Sequence, residues 1–275
     1  MAQRRKNQRK KENTLYAIIA AIVIIAWGIY SKNGNFNFGQ NNSNAIKTAQ
    51  RADTYYGGLS KNDYEKLAKL DFKSGDKAYI TVNNDKSTLI KNAWKVNKVI
   101  YSNLDSLNRT SNSNTAFLEK RNVANDSLRV RQFVEPTGWH YNRRNGTQIY
   151  NRGHLIAYSV SAGIDQNGQY NPSNQSGDQN NPKNLFTQSA YSNQKIQTIF
   201  ESKVRRALRE NQRVIYQATP IFRGNELMAR GINLQAISTN GALDFNVYLF
   251  NVQPGYSFNY SDGRARRERQ MQVSE

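Results

Sequence analysis

A chain of 275 residues with 39 Lys and Arg against 20 Asp and Glu carries a formal charge of +19, an excess that favours an anionic partner, either nucleic acid or a charged surface. The absence of cysteine excludes disulfides, thiolate catalysis and cysteine-held metals, and two histidines are too few for a three-histidine zinc site. The length leaves room for one large domain or two small ones and for a sizeable core.

The first fourteen residues, MAQRRKNQRKKENT, hold six basic residues and one acid. An uncharged apolar run follows from Leu15 to Tyr30. At about 1.5 Å per residue it reaches about 24 Å, short of a ~30 Å hydrocarbon core. Thr14 and Ser31 can extend the span, Trp27 and Tyr30 suit an interface, and Lys32 can snorkel. No Ala-x-Ala follows, which favours an uncleaved signal anchor over a cleaved signal peptide. The expectation is a basic cytoplasmic tail over 1–14, a transmembrane anchor over 15–31 and the rest of the chain outside the cell.

Residues 32–52 are rich in Asn, Gly and Ser and read as a flexible linker. A globular domain is expected over 53–262. It opens on KAYITVNNDKS, a strand entering a turn, with Tyr79 and Thr81 on one face and Ile80 and Val82 on the other. After WKVNKVIYSNLDSLNRT, a basic polar stretch runs to about Gln132. NGTQIYNRGHLIAYSV gives a turn and then an apolar segment, with His154 at a strand or its edge. The loop DQNGQYNPSNQSGDQNNPKN is too hydrophilic for core. A helix is expected from near Ser189, with Ile196, Ile199, Phe200, Val204, Ala207 and Leu208 in one apolar stripe. RVIYQATPIF alternates like a strand, and INLQAISTNGALDFNVYLFNV reads as a hairpin turning at Asn240-Gly241. Residues 263–275 are charged, without periodicity, and read as a frayed tail. The order indicates an α+β fold with sheet segments on both sides of one long helix.

Two places carry chemistry. His154 follows Asn-Arg-Gly and precedes an apolar run; a neutral imidazole there suits a general base, though a structural histidine at a strand end fits as well. On the helix, Asn193, Gln197, Glu201 and Arg205 recur every four residues, so they share one polar arc. An exposed helix commonly has a polar face, and Glu201 with Arg205 also suits an ordinary ion pair.

YNRGHLIAY, then NNPKNLFTQSAYSNQ, then Glu201 together resemble the DNA/RNA non-specific endonucleases with a ββα-metal finger. The set is particularly similar to the membrane-anchored DNA-entry nucleases of competent Gram-positive bacteria. With AYITVNN, YSNLDSLNR and PTGW as further matches, the resemblance runs from about Tyr79 to Tyr260. It implies an antiparallel sheet core bearing a ββα-metal finger, behind one N-terminal transmembrane helix. The implied activity is sequence-non-specific hydrolysis of DNA, and of RNA, with one Mg²⁺ ion for which Mn²⁺ can substitute.

By the same resemblance His154 is the general base and Asn193 the one direct protein ligand of the metal. Glu201 holds a metal-bound water, and Asn184 and Gln188 surround the site. Arg129 is the preferred grip on the scissile phosphate, with Arg131 and Arg121 as alternates, while Arg152 and Arg205 are candidates to touch substrate. Trp139 is expected in the core and His140 at the surface or in a structural role. Asn151 departs from the family pattern, which has Asp there; a structural acceptor survives the change, a charge does not. The implied partners are DNA, RNA, the membrane and a DNA-uptake machinery. A catalytically inactive surface DNA-binding receptor is the alternative reading, and an adhesin a third.

Overall fold

The computed structural model describes residues 55–144 and 146–275. The expected tail, anchor and linker over 1–52 lie outside the described residues. Helix α1 (Lys61–Ala68) starts on Ser60, whose side chain accepts from the Asp63 amide. Strands β1 (Tyr79–Thr81), β2 (Lys98–Ile100) and β3 (Asn114–Leu118) follow. Next come the short hairpin β4 (Arg143–Arg144) with β5 (Thr147–Gln148), then β6 (Tyr150–His154) and β7 (Leu185–Ser189). A π-helical turn, Ser192–Gln197, leads into helix α2 (Thr198–Arg209). The chain closes with β8 (Val214–Ile221), β9 (Gly231–Ser238), β10 (Asp244–Phe250), β11 (Tyr256–Asn259) and β12 (Arg264–Arg267). Among the described residues no helix is long and apolar enough to cross a membrane.

Six of these strands form the central sheet in the order β1-β10-β9-β8-β3-β2, with every neighbour antiparallel. Alternation along each strand sends its residues to two faces. Val214, Tyr216, Ala218, Ile232, Leu234, Ala236, Phe245 and Val247 face α2, where Phe200, Val204 and Leu208 meet them. Ile221, Tyr248 and Phe250 face the other way, onto α1 through Leu67 and Ala68. Phe117 and Ile215 share that second face and are covered by Leu89 and Trp94. Both faces are buried. The mixed α+β class with an antiparallel sheet core, and the hairpin joining β9 to β10, follow the sequence pattern.

Four local expectations are corrected. The stretch read as basic and polar before Gln132 contains β3, a fully buried strand of five residues whose apolar part, AFL, is too short to stand out. Ile199 is 42% exposed, because it lies about 120° around the axis from the buried set centred on Phe200, Val204 and Ala207. The long polar loop buries Asp178, Asn181 and Asn184. Burial of the two asparagines is tolerated because they are bonded: Asn184 accepts from the Ile156 amide at 2.8 Å and donates to the Ile156 carbonyl at 3.0 Å. Residues 263–275 are not frayed. β12 pairs with β11, Ala265 is buried, and the Ala78 amide donates to the Ser274 carbonyl at 2.7 Å.

The stripe gives a direct stability contrast. Leu208→Ala, at a fully buried position, should cost about 2–5 kcal/mol, whereas Ile199→Ala should stay within about 0.5 kcal/mol of the parent. Urea denaturation of the two variants checks this; equal losses would place Ile199 in the core after all.

Candidate active site

Strands β6 and β7 pair antiparallel, with Asn151 opposite Gln188, Gly153 opposite Phe186 and His154 opposite Leu185. The glycine in this motif is set by close approach. A Cβ at Gly153 would lie 2.2 Å from Gln188 Oε1 and 2.8 Å from Gln188 Cβ, inside contact distance. Ser189 then starts the helix: its Oγ accepts from the Ser192 amide at 3.0 Å while donating to the Val252 carbonyl at 2.6 Å. The π-helical turn that follows alters the geometry of the polar face. In a pure α-helix residues eight apart sit about 80° from one another. One extra residue in a π turn reduces the angle between Asn193 and Glu201 to that of about seven steps, roughly 20°.

His154, Asn193 and Glu201 line one cleft of about 430 Å³, together with Asn151, Arg129 and Arg152. Five amides connect the cleft walls donor to acceptor. Gln148 Nε2 donates to Asn151 Oδ1, Asn151 Nδ2 to Asn193 Oδ1 at 2.8 Å, and Asn193 Nδ2 to Gln188 Oε1 at 2.9 Å. Gln188 Nε2 continues to Gln197 Oε1 at 2.9 Å, and Gln197 Nε2 ends the chain on Glu201 Oε1 at 2.8 Å. Gln197 Nε2 also donates to the His154 carbonyl at 2.9 Å, tying the helix to the histidine strand. Gln132 Nε2 lies 3.4 Å from His154 Nε2. Desolvation lowers the His154 pKa from 6.5 to about 4, with nearby Arg129 adding to the fall and hydrogen bonding to the backbone of Gln179 and Asp178 opposing it. Burial raises the Glu201 carboxyl, against the hydrogen bond from Gln197 and the charges of Arg205 and Arg129.

The sequence profile described as DNA/RNA non-specific endonuclease matches residues 87–240, more than half of the chain. The chain belongs to that family. The crystal structure of NucA from Streptococcus agalactiae with magnesium ion bound is similar, at 26% identity and a TM-score of 0.61. That match covers 77% of this chain and 99% of NucA. NucA with no metal bound gives 28% identity, a TM-score of 0.59 and coverage of 76% and 98%. Sda1 nuclease with bound zinc ion shares the fold at 18% identity and a TM-score of 0.52, over 70% of this chain and 97% of its own. A deoxyribonuclease of Streptococcus dysgalactiae subsp. equisimilis is 38% identical over 50 residues. Those residues are 18% of this chain and 15% of that relative, so the match spans a small part of its length.

Within this non-specific endonuclease fold the other expected residues fall into distinct places. Arg129 lines the cleft, its guanidinium 4.9 Å from the Tyr158 ring centre and 3.3 Å from Asp126. Arg131 and Arg121 are not on the cleft wall; Arg121 pairs with Glu119 and covers Tyr170. Arg152 stacks 4.2 Å over Trp139 and donates to the Val134 carbonyl, so it anchors the strand as well as facing the cleft. Arg205 binds Ser159 Oγ at 3.0 Å and Ser202 Oγ at 2.6 Å, outside the cleft lining. Asn184 is fully buried in its bonds to Ile156 and braces the chain after His154. Gln188, also fully buried, orients Asn193. Trp139 packs beside Tyr150 in a small core, and His140 Nε2 lies 2.8 Å from the Asp262 carbonyl.

Gln132, Gln148 and Gln197 were not singled out as site residues from the sequence. Only Gln197 carried a signal, its place in the four-residue spacing. Among the described residues no three His, Cys, Asp or Glu side chains converge as a metal cage. Glu201 is the one carboxylate on the cleft wall among them. An amide oxygen, a carboxylate and room for water suit a hard divalent cation that keeps most of its hydration. Asn193 and Glu201 are the residues that fit it.

Gly153→Ala tests the packing of the motif. The added methyl must displace Gln188 and with it the hold on Asn193, at a cost of about 1–3 kcal/mol and with reduced activity. Urea denaturation and plasmid cleavage of the variant check this, and a Gly153→Ala protein equal to its parent in both would refute the close approach.

Proposed function

We propose that the chain is a membrane-anchored, extracytoplasmic endonuclease that hydrolyses DNA, and RNA as well, without reading sequence. The observation that carries the endonuclease reading is the convergence of His154, Asn193, Glu201 and Arg129 on one cleft, while the anchor rests on the apolar run Leu15–Tyr30 behind six basic residues. The relatives support the metal: NucA binds magnesium and Sda1 binds zinc, and the oxygen donors here favour Mg²⁺, with Mn²⁺ able to replace it.

His154 accepts a proton from the attacking water, whose oxygen bonds to phosphorus as the bond to the 3′-oxygen breaks. Its low pKa leaves the imidazole neutral and ready at neutral pH. Arg129 neutralises charge gathering on the non-bridging oxygens. A divalent ion, when bound, would supply further positive charge to the phosphate and the leaving oxygen. Asn193 would hold that ion directly, and Glu201 would hold one of its waters. Gln188 and Gln197 keep these two side chains in register. Phosphate contacts carry no sequence information, and the sequence contains no zinc finger or zipper to read bases. The domain boundaries proposed with this reading are the anchor over 15–31, the linker over 32–52 and the nuclease domain from residue 53.

Plasmid nicking with and without EDTA is the decisive experiment. The full chain should nick and linearise plasmid in Mg²⁺ and stop in EDTA; binding without cleavage would favour the inactive receptor. His154→Ala should lose about 10²–10⁴ in rate while still binding DNA, and full activity in that variant would overturn the assignment of the base. In kcat/KM against pH, the acidic limb should lie below pH 6.5, because the imidazole stays neutral until the pH approaches about 4. A limb at or above 6.5 would contradict the enclosed site. Intact cells carrying the chain should degrade added DNA and lose that ability to external protease; activity found only after lysis would reverse the orientation.

A further inference from the structure

The closing segment, charged and aperiodic in sequence, is the second strand of a hairpin that displays arginines and packs against Tyr150. In β12, Arg264 and Arg266 alternate with buried Ala265 and so share the outer face, with Arg267 exposed at the strand end. Ala265 packs with Ile149, Tyr150 and Met228, and Tyr150 Oη donates to the Gly263 carbonyl. The hairpin is thereby fixed to the strand that carries His154. A second pair, Arg143 and Arg144 of β4, is also exposed. Arg143 lies opposite Gln148, which lines the cleft and donates to Asn151. Arg144 Nη1 donates to the Ala265 carbonyl at 2.7 Å and ties the two hairpins together.

We propose that these two hairpins form a second nucleic-acid surface, continuous with the cleft, that grips backbone phosphates beyond the scissile one. The inference rests on the nuclease reading and extends it. Three observations support it. The arginines sit on paired strands rather than on a loose tail, so the backbone sets their spacing along each strand. Of those on the two hairpins, Arg264 alone is ion-paired among the described residues, to Asp262 at 2.9 Å. The others have no carboxylate partner among the described residues, which leaves their charge available to a polyanion. The third is position: the surface starts at Gln148 on the cleft rim and runs outward through Arg143 and Arg144 to Arg266. An extended chain of phosphates seated in the cleft meets them in turn. Grip on the backbone away from the cut raises retention on long substrates without adding sequence preference.

The test compares salt dependence of binding by the full-length chain, with His154→Ala in all proteins so that substrate survives. Fluorescence anisotropy would follow labelled duplexes of about one and about four helical turns, in Mg²⁺, over a range of KCl. The double variant R143Q/R266Q removes one arginine from each hairpin. Each lost phosphate contact flattens the slope of log Kobs against log[salt] by about 0.9, so the long-duplex slope should fall by about two. The short-duplex slope should fall by less, because a single turn seated in the cleft meets Arg143 on its rim while the long duplex spans both hairpins. The control, K91Q/K95Q, removes the same charge beside Trp94 on the sheet face opposite α2, and should leave both slopes unchanged. An unchanged long-duplex slope in R143Q/R266Q overturns the proposal, even if that variant loses affinity for anionic lipid vesicles. So does an equal flattening in the lysine control. Absence of EDTA-sensitive nicking by the parent chain would strike the catalytic reading instead, which keeps the two failures apart.

Discussion

The site depends on one directed chain of hydrogen bonds, from Gln148 through Asn151, Asn193, Gln188 and Gln197 to Glu201. An amide has one donating end and one accepting end, so each member fixes the orientation of the next. The carboxylate of Glu201 accepts without donating and gives the chain its direction. Gln188 and Gln197 are fully buried, and there an unmade hydrogen bond costs about 1–3 kcal/mol. Turning over Asn151, Asn193, Gln188 or Gln197 would break at least two bonds at once. The orientation of Asn193 is therefore set by residues on β5, β6, β7 and the helix together.

That arrangement explains why the finger needs its particular backbone. Gln188 can reach Asn193 only because Gly153, across the ladder, has no side chain. The two strands present Asn151 and Gln188 side by side, and the π turn swings Asn193 over Glu201. Gln197 then joins the helix to the backbone of His154. Displacement of one element disturbs His154, Asn193 and Glu201 together. Around them Arg129 supplies positive charge, while Glu201 is the one carboxylate on the wall among the described residues. A phosphodiester approaching this cleft meets cations and amide dipoles that are already oriented, which is the form of electrostatic stabilisation that needs no reorganisation during reaction.

Much of this was legible in the sequence, and the exceptions have physical causes. Periodicity marked the helix, the strand β8 and the β9–β10 hairpin, because each has enough residues for a pattern to repeat. The short central strand β3 did not show, since five residues buried on both faces give no alternation. His154, Asn193 and Glu201 were marked by the resemblance to the endonuclease family, and the fold brings the three to one cleft. Gln132 was not marked, because it reaches His154 from a loop 22 residues upstream. The π turn was also invisible: SNQKIQ holds no Gly or Pro, and an extra residue in a helical turn leaves the four-residue spacing of the sequence untouched. Arginine-rich β12 read as a solvated tail for a related reason. Its one buried residue is an alanine, and the partners that hold the hairpin come from Tyr150 and Arg144, over a hundred residues away.

The departure at Asn151 shows how such a network limits inference from a single position. Judged by itself, replacing the family's Asp with Asn removes a charge and keeps an acceptor. Within the chain of amides it does something else. Asn151 accepts from Gln148 and donates to Asn193 Oδ1, and a carboxylate can do only the first. With acceptors at both ends, at Asp and at Glu201, no single direction could run through the chain. Asn193 would have to present its Nδ2 to position 151 and its Oδ1 to Gln188, and Gln188 would have to turn in response. The amide at 151 and the amide at 188 are thus matched to each other through Asn193. Their pairing, rather than the charge at either position, decides which atom of the Asn193 amide faces which neighbour.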